Sequence, residues 1–359
     1  MVNGQIRMEM TGMKRSGRFG KYVVLGFFLL VFSGCAGTYS LVEFEVLEPA
    51  TIRFPDEVDQ LLILNRSPVT FKVLSPENRE GLERKELWIL DTLVSNNVMR
   101  GLLYVLRNSP VKRYQFPIFL SERRLDTLFQ QDLLLTKREV ASLCERAGTD
   151  AVVSLERYSL DLEEHYDFYS AGDDGVADVA VVRNHYYIFS NRIDWAVYLP
   201  LNPRPFDEYT TIDTLYFSRI SEGVFQGAPS SAEMIRELFY ESGLKYGRYL
   251  VPVWAHASRT LFKGDGKLLR TAARHTRRGE WEQAFALWDE LGESGDSTLA
   301  AKAFHNMAVY YELEDQLDSA SLMIDRALAC DSLEMVIFYR EEMDIRLMNR
   351  REVVKQVIH

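Results

Sequence analysis

Cysteine and histidine are scarce in this sequence, which has 3 Cys and 6 His among its 359 residues. No two of them stand at the short CxxC or HxxxH spacings that zinc sites use, and three cysteines are too few for a disulfide framework. We therefore predict no bound metal and no disulfide-stabilised fold.

The common motifs of catalysis are missing as well. Neither phosphate-binding pattern, GxxxxGK[ST] or GxGxxG, occurs, and the GxSxG elbow of hydrolases is absent from the sequence. The nearest segment, from Gly264 to Lys267, follows Phe262 at a predicted helix boundary, and we interpret it as a turn. We expect no catalytic residues and no cofactor, and we predict that the protein is not an enzyme.

Basic residues are outnumbered by acidic ones. Lys and Arg total 42 and Asp and Glu total 52, which gives a formal net charge of −10. A nucleic-acid-binding protein needs a positive surface, so this balance argues against nucleic acid as a partner. The hydrophobic fraction of 47% excludes a disordered chain, and the length suits about two domains.

The N-terminus carries the strongest signal in the sequence. An apolar run over residues 22–32 follows four basic residues, Lys14, Arg15, Arg18 and Lys21. A spanning helix needs about 20 apolar residues, whereas a basic stretch before an apolar core of roughly 7–15 residues is typical of a secretory signal peptide. We predict that residues 1–34 are this signal peptide, with translation starting at Met1 or at Met13.

The end of the apolar run, Phe32-Ser33-Gly34-Cys35, resembles the lipobox of bacterial lipoproteins, although Phe32 stands where Leu is usual. The resemblance implies that Cys35 carries fatty acids such as palmitate and becomes the first residue of the mature chain. Ala36 in place of Asp implies an outer-membrane destination, with the body in the periplasm or at the cell surface. The alternative is an ordinary secreted protein with an incidental cysteine. Residues 35–50 are predicted to be a tether.

Removal of the signal peptide makes the protein more acidic, because five basic residues and one acidic residue precede Cys35. The mature chain then carries 37 basic and 51 acidic residues, a net charge of −14. We expect no binding to anionic lipid through basic patches. Membrane association is then expected to come from the acyl chains alone, at about 0.8 kcal/mol per buried CH₂.

Residues 51–262 are predicted to form an α/β domain. Apolar residues recur at three- and four-residue steps over 84–107, which indicates an amphipathic helix. Thr136 and Glu139 form a capping box before a second helix that ends at Gly148. Extended segments are predicted at 51–54, 61–64, 114–120 and 151–155. This alternation is typical of a two-layer or three-layer α/β sandwich with a mostly parallel sheet.

The rest of this domain is predicted to be a hairpin and a helix. Alternating polarity indicates strands at 193–199 and 210–217, joined by the stretch from Pro200 to Pro205. Ser230 and Glu233 form a capping box that opens a helix through about Leu250. One interpretation extends this helix past Pro252 to Leu261.

The C-terminal third, 267–359, is predicted to be all helix with an internal repeat. The segment from Gly279 aligns with the segment from Asp315, 36 residues further on, and this spacing resembles the 34-residue period of tetratricopeptide repeats. The resemblance assigns small and bulky packing positions to Trp281, Ala284, Trp288, Ala308, Tyr311 and Ala320. A generic helical hairpin is the alternative. A last helix from about Met335 to Val357 is predicted to cap the stack.

Taken whole, the chain resembles an uncharacterised family of bacterial envelope lipoproteins that join an α/β domain to short tetratricopeptide-like repeats. The α/β half is similar in element order to TolB-like and curli-secretion (CsgG-like) periplasmic domains. The resemblance implies where the protein is placed and implies no chemistry.

Three smaller features each have a functional and a structural interpretation. Acidic residues at 173–178 suit either calcium or a solvated loop, and His165 beside Glu163 suits either a metal or surface charge. Cys144 and Cys330 are expected to be buried thiols, with a disulfide between them as the alternative. An aromatic band, interpreted as packing or as a sugar-binding or protein-binding face, comprises Tyr186, Tyr187, Phe189, Tyr198, Tyr209 and Tyr216.

The leading hypothesis is a non-catalytic, lipid-anchored envelope protein whose helical repeats bind a protein or peptide partner. One alternative is a glycan-binding protein or an enzyme that uses the aromatic band and the acidic loop, in which Trp195 and Tyr198 contribute to a small-molecule site. Another is a subunit of a secretion assembly.

Overall fold

The computed structural model describes residues 38–68, 84–122, 134–171, 180–220 and 231–357, which form two compact units. Among these residues, the α/β unit comprises those within 45–256 and 346–357, and the helical unit comprises those within 38–44 and 257–345. The predicted signal peptide, Cys35, Ser230 and the acidic residues at 173–178 lie outside the described residues.

The described chain contains seven strands and eight helices of at least eleven residues, together with a 3₁₀ turn at Lys112–Tyr114. The strands are β1 (Tyr39–Glu48), β2 (Leu61–Asn65), β3 (Ile118–Ser121), β4 (Ala151–Ala171), β5 (Ala180–Tyr198), β6 (Asp207–Ile220) and β7 (Val253–Phe262). The helices are α1 (Arg84–Asn108), α2 (Lys137–Ala147), α3 (Ser231–Leu250), α4 (Gly266–Thr276), α5 (Trp281–Gly292), α6 (Ser297–Leu313), α7 (Leu317–Cys330) and α8 (Glu334–Val357).

A five-stranded mixed sheet organises the α/β unit, with strand order β3-β2-β4-β5-β6. β2 pairs in parallel with both β3 and β4, as the alternation of strands and helices predicts. β4, β5 and β6 are antiparallel, which confirms the predicted hairpin between β5 and β6. β1 and β7 form a separate two-stranded sheet.

Helices cover both faces of the parallel part of the sheet, so the domain is a three-layer sandwich. β2 is buried along its whole length because its alternate residues point into two different cores. Ile63 packs with residues of α1 and α3, whereas Leu62 and Leu64 pack with Val140 and Leu143 of α2. The continuous apolar run in β2 follows from burial on both sides.

Glycines permit α1 and α3 to cross in backbone contact. A Cβ atom at Gly101 would overlap the carbonyl oxygen of Tyr240, and one at Gly243 would overlap the carbonyl oxygen of Val98. Both glycines lie inside helices, where glycine is unfavourable by about 1 kcal/mol relative to alanine. The close approach of the two helices explains their presence.

Three segments differ from the sequence-based prediction. Residues 39–48, expected in the tether, form β1, whose alternate side chains from Ser40 to Val46 face inward. Residues 51–54 form no strand, and the amides of Thr51 and Ile52 bond to the carbonyl of Tyr249. The helix α3 ends at Leu250 and β7 follows, because Pro252 lacks the amide that a continuing helix needs.

The helical unit contains α4 to α7 and most of α8, which confirms an all-helical segment after the α/β region. Consecutive helices from α4 to α7 pack against each other. The repeat is visible in the backbone, because Gly279 and Asp315 both have positive φ, 75° and 57°. One residue further on, the amides of Glu280 and Gln316 bond to the carbonyls of His275 and Tyr311, at 3.0 and 2.8 Å.

Candidate protein-binding surface

The predicted repeat-packing residues divide into two groups in the structure. Ala284, Trp288, Ala308 and Ala320 are fully buried, with at most 1% of each residue exposed. Trp281 and Tyr311 are partly exposed and belong to the surface of the unit. The 36-residue offset relates Ala284 to Ala320, and both alanines are fully buried.

An aromatic cluster lies at the surface between α5 and α6, and we define it as Trp281, Phe285, Tyr310 and Tyr311. The ring of Tyr310 lies 6.3 Å from Trp281 and 5.2 Å from Phe285, centre to centre. Tyr311 lies 5.4 Å from Phe285, edge to face. All four residues keep part of their surface exposed, and the sequence alone did not single out Phe285 or Tyr310.

The spacing of the four residues explains their convergence. Trp281 and Phe285 are four residues apart on α5, so they lie on the same face of the helix. Tyr310 and Tyr311 are adjacent on α6, and each reaches Phe285 from a different side. Partly exposed aromatic clusters of this kind are common at protein interfaces, because they bury large area while losing little conformational entropy.

A buried polar network fixes α6 below the aromatic cluster. Arg259 of β7 donates two hydrogen bonds to Glu312, at 2.8 and 2.9 Å, and Tyr339 of α8 donates a third at 2.8 Å. The side chain of Glu312 has no exposed surface. Burial and the neighbouring Glu312 raise the pKa of Tyr339, which therefore remains a hydrogen-bond donor.

Two further side chains of α6 bind the edge of β7. Asn306 accepts a hydrogen bond from the amide of Phe262 and donates one to its carbonyl, both at 2.8 Å. His305 bonds to the carbonyl of Thr260 through Nε2, at 2.8 Å, while its Nδ1 has no partner among the described residues. Burial lowers the pKa of His305 to about 4, so the ring is neutral and Nε2 is the donor.

A basic stripe runs along α4 into the turn before the aromatic cluster. We define it as five exposed residues, Lys267, Arg270, Arg274, Arg277 and Arg278. No acidic residue occurs between Gly266 and Gly279, although the chain as a whole is acidic. The expectation of no binding to anionic lipid through basic patches rests on net charge, which does not register this local concentration of basic residues.

The predicted aromatic band is divided by the sheet. Phe189 and Tyr198 are buried, and Tyr187 and Tyr209 pack against the core on the α3 side. Tyr186 and Tyr216 lie on the opposite face, where Tyr186 stacks on His165 at 5.0 Å. Trp195 is only 2% exposed and Tyr198 1%, so neither forms an accessible surface for a small molecule.

The other predicted features have local structural explanations. His165 bonds to Glu163 at 2.9 Å on an exposed strand, and no group of at least three potential ligands in the described part of the chain could hold a metal ion. Cys144 and Cys330 are free thiols, the first buried and the second half-buried. Gly264 precedes Asp265, the residue before the first turn of α4, as the turn interpretation expects.

A small open pocket lies on the α/β unit. Its charged lining residues are Arg53, Arg113 and Lys355. Each of these cations is already within 3.5 Å of a carboxylate, on Asp56, Asp59 and Glu352 respectively. The pocket therefore has no uncompensated charge to select an anion.

The sheet-containing part of the chain matches a known protein family. The family described as a domain of unknown function, DUF8603, matches residues 58–262, more than half of the chain. The chain belongs to this family. In this DUF8603 protein, a second domain of unknown function, DUF6340, matches residues 270–343, which begin in α4 and end in α8. No curated protein matches the chain.

Two solved structures resemble this DUF8603 protein only weakly, in both sequence and fold. A protein described as a neuraminyllactose-binding hemagglutinin homolog from Helicobacter pylori has 8% identity and a TM-score of 0.28, over 55% of this chain and 83% of its own. The PelC dodecamer from Paraburkholderia phytofirmans has 10% identity and a TM-score of 0.19, over 57% and 98%. In the described residues, no helix of the DUF8603 chain is long and apolar enough to cross a membrane.

Proposed function

We propose that this protein is a non-catalytic scaffold of the bacterial cell envelope, anchored by lipid on Cys35, whose helical unit binds a protein or peptide partner. The observation that carries the proposal is the aromatic cluster, in which four contacting rings remain partly exposed over a rigidly fixed helix. The anchor rests on the lipobox-like sequence ending at Cys35.

The internal repeat of the helical unit supports its choice as the binding module. The two helical hairpins, α4 with α5 and α6 with α7, share the same turn geometry and equivalent buried alanines. Stacked helical hairpins present extended surfaces on which peptides bind. We assign the aromatic cluster to such a surface.

The basic stripe indicates the chemistry of the partner. Arg278 precedes Trp281 by three residues, so positive charge adjoins the aromatic rings in the chain. Arginine and aromatic side chains are enriched at the energetic centres of protein interfaces. We propose an acidic peptide segment with apolar side chains as the partner, because its carboxylates complement the basic stripe and its apolar side chains complement the aromatic cluster. The rest of the protein is acidic and repels such a segment.

Site-specific photo-crosslinking in intact cells tests the binding surface. A photoreactive phenylalanine analogue at Phe285 or Tyr310 is expected to give one discrete adduct with another protein, and the same analogue at exposed Glu341 is the control. The paired changes Arg270→Gln and Arg274→Gln should weaken the adduct, whereas Arg236→Gln on the α/β unit should not. Equal labelling from all three crosslinking positions would contradict the proposal.

Cell fractionation tests the anchor separately. Cys35→Ser is expected to abolish lipidation. The variant is then either exported and processed as an ordinary secreted protein, which leaves the membrane fraction, or it remains an uncleaved precursor. Cys330→Ser, which changes a half-buried thiol, should leave fractionation and processing unchanged. If the Cys35→Ser protein is processed and sediments with membranes as the natural protein does, the lipid anchor is wrong.

A further inference from the structure

We propose that strand β6 is a self-association edge, through which two copies of this chain pair antiparallel across a twofold axis near Ile212. This inference is independent of the helical unit and of the lipid anchor. It rests on the length, composition and position of β6, and on the register in which the strand complements itself.

β6 is the last strand of the five-stranded sheet, and no described strand pairs with its outer edge. It has 14 residues, whereas β3 at the opposite edge has 4. Its register against β5 continues without a bulge from Asp207 to Ile220. A long, regular edge strand is a template for another strand, because its outward amides and carbonyls lack partners in the sheet.

Most of the usual protection of edge strands is missing from β6. Soluble proteins keep such edges unpaired with charged side chains, lysine above all, and with proline, bulges or very short strands. β6 contains no Lys, Pro or Gly, and its charged residues are Asp207, Glu208, Asp213 and Arg219. Its sequence is instead rich in β-branched and aromatic residues, which favour strand pairing. Ile212 and Tyr216 are 60% and 70% exposed on the open face of the sheet, beside this edge.

Contacts on the other face hold the edge in a fixed conformation. Tyr209 stacks on Tyr249 at 4.1 Å, and the hydroxyl of buried Thr211 accepts a hydrogen bond from Trp195. Asp213 forms an ion pair with Lys245 at 2.8 Å, so its charge is already compensated. The edge is therefore preorganised, and pairing costs little conformational entropy.

One antiparallel register of self-pairing brings the exposed apolar side chain of Ile212 against its copy. With the axis at Ile212, the two Ile212 side chains lie opposite each other, Thr210 lies opposite Thr214, and Glu208 lies opposite Tyr216. A register centred on Asp213 would place two carboxylates directly opposite each other, which is unfavourable. The register centred on Ile212 pairs the two exposed Ile212 side chains and places no like charges opposite each other.

Disulfide trapping on the purified full-length protein in detergent tests this register. Residues directly opposite on antiparallel strands have Cα atoms about 4.5–5.5 Å apart, within the range of a disulfide. Ile212→Cys is expected to give a covalent dimer under mild oxidation. Thr210→Cys is expected to give no covalent dimer, because two copies of residue 210 would be four positions out of register, about 14 Å apart at about 3.4 Å per residue. Ser159→Cys, exposed on β4 away from the edge, is the second control.

The mass of the native particle gives an independent measurement. The natural sequence is expected to be a dimer at micromolar concentration, and Ile212→Lys should raise its dissociation constant at least about tenfold, because two ammonium groups would oppose each other. Unchanged thermal unfolding of the Ile212→Lys protein is expected from the exposure of the site. A monomeric natural protein, or an Ile212→Cys protein that forms no more covalent dimer than Ser159→Cys, would overturn the proposal.

Discussion

Arg259 and Glu312 form a bidentate ion pair in which the carboxylate is completely buried. The pair joins β7 to α6, and the guanidinium also lies 5.5 Å from the ring centre of Tyr339 on α8. Burial lowers the pKa of Arg259, but the hydrogen bonds and charge of Glu312 outweigh this and raise it overall. Three elements of the helical unit therefore meet at one charge pair.

Glu312→Gln is expected to destabilise the protein by about 3–5 kcal/mol, because it removes the buried carboxylate and leaves the guanidinium only the more exposed carboxylate of Glu342, at 3.4 Å. The free energy of unfolding from urea denaturation, followed by circular dichroism, measures the effect. Glu293→Gln is the matched control, since its carboxylate pairs with Arg326 at 3.7 Å on the surface and should change stability by less than about 1 kcal/mol. Equal effects of the two changes would contradict the assigned role of the buried pair.

Gly243→Ala should destabilise the α/β unit, because the added methyl group would overlap the backbone of Val98 and Leu102 on α1. Alanine improves the propensity of an exposed helix, so a loss here isolates the steric cost, which we expect to be about 1–3 kcal/mol or more. The melting temperature measures it. Gly295→Ala, where a Cβ would meet no atom within 4 Å, should be nearly neutral, and a similar loss at both glycines would argue against the close crossing.

The lowered pKa of His305 predicts that the stability of the protein depends on pH. Its pKa is about 4 in the folded protein and about 6.5 when unfolded, so between these values the unfolded chain binds more protons. The contribution of neutral His305 to the free energy of unfolding is fully present above pH 6.5. It is lost as the pH falls towards 4, by about 3 kcal/mol in total.

Replacing His305 with Gln tests this dependence. Glutamine keeps a donor for the carbonyl of Thr260 but does not titrate. Urea denaturation of both proteins from pH 7.5 to 4 should show a smaller fall in unfolding free energy for the variant. Parallel curves would show that His305 is not the group responsible.

Thr136→Ala should destabilise α2 by about 1 kcal/mol. Thr136 accepts a hydrogen bond from the amide of Glu139 at 3.4 Å, and the Glu139 carboxylate accepts one from the Thr136 amide at 2.8 Å. Thermal unfolding measures the loss, with exposed Arg138→Ala as the control. If both variants melt at the same temperature, the capping box does not contribute to stability.

Local signals in the sequence predicted several helices and strands, and for α2 they predicted both ends. The capping box at Thr136 and the glycine at 148 bound α2 as predicted, and Gly148 has the left-handed conformation, φ 66°, that ends a helix. Apolar periodicity predicted α1, and the apolar run at 61–64 predicted a strand buried on both faces. These features depend on interactions between residues close together in the chain, so the sequence alone is enough to predict them.

Long-range pairing decided what local signals could not. The prediction stopped β4 at residue 155, but pairing with β5 continues it to Ala171, because a polar strand is stabilised by its partner's backbone and not by its own pattern. The same holds for β1, whose partner β7 lies more than 200 residues away in the sequence.

The 36-residue repeat and the acidic composition are properties of the sequence alone, and so is the lipobox-like segment before Cys35. The sequence assigned Trp281 and Tyr311 to repeat packing, and only the tertiary structure places them with Phe285 and Tyr310 in one partly exposed cluster. Only the order of strands in the sheet makes β6 an edge. Periodicity fixes which residues share a face of an element, whereas exposure depends on which elements pack against that face, and this is set by contacts between distant parts of the chain.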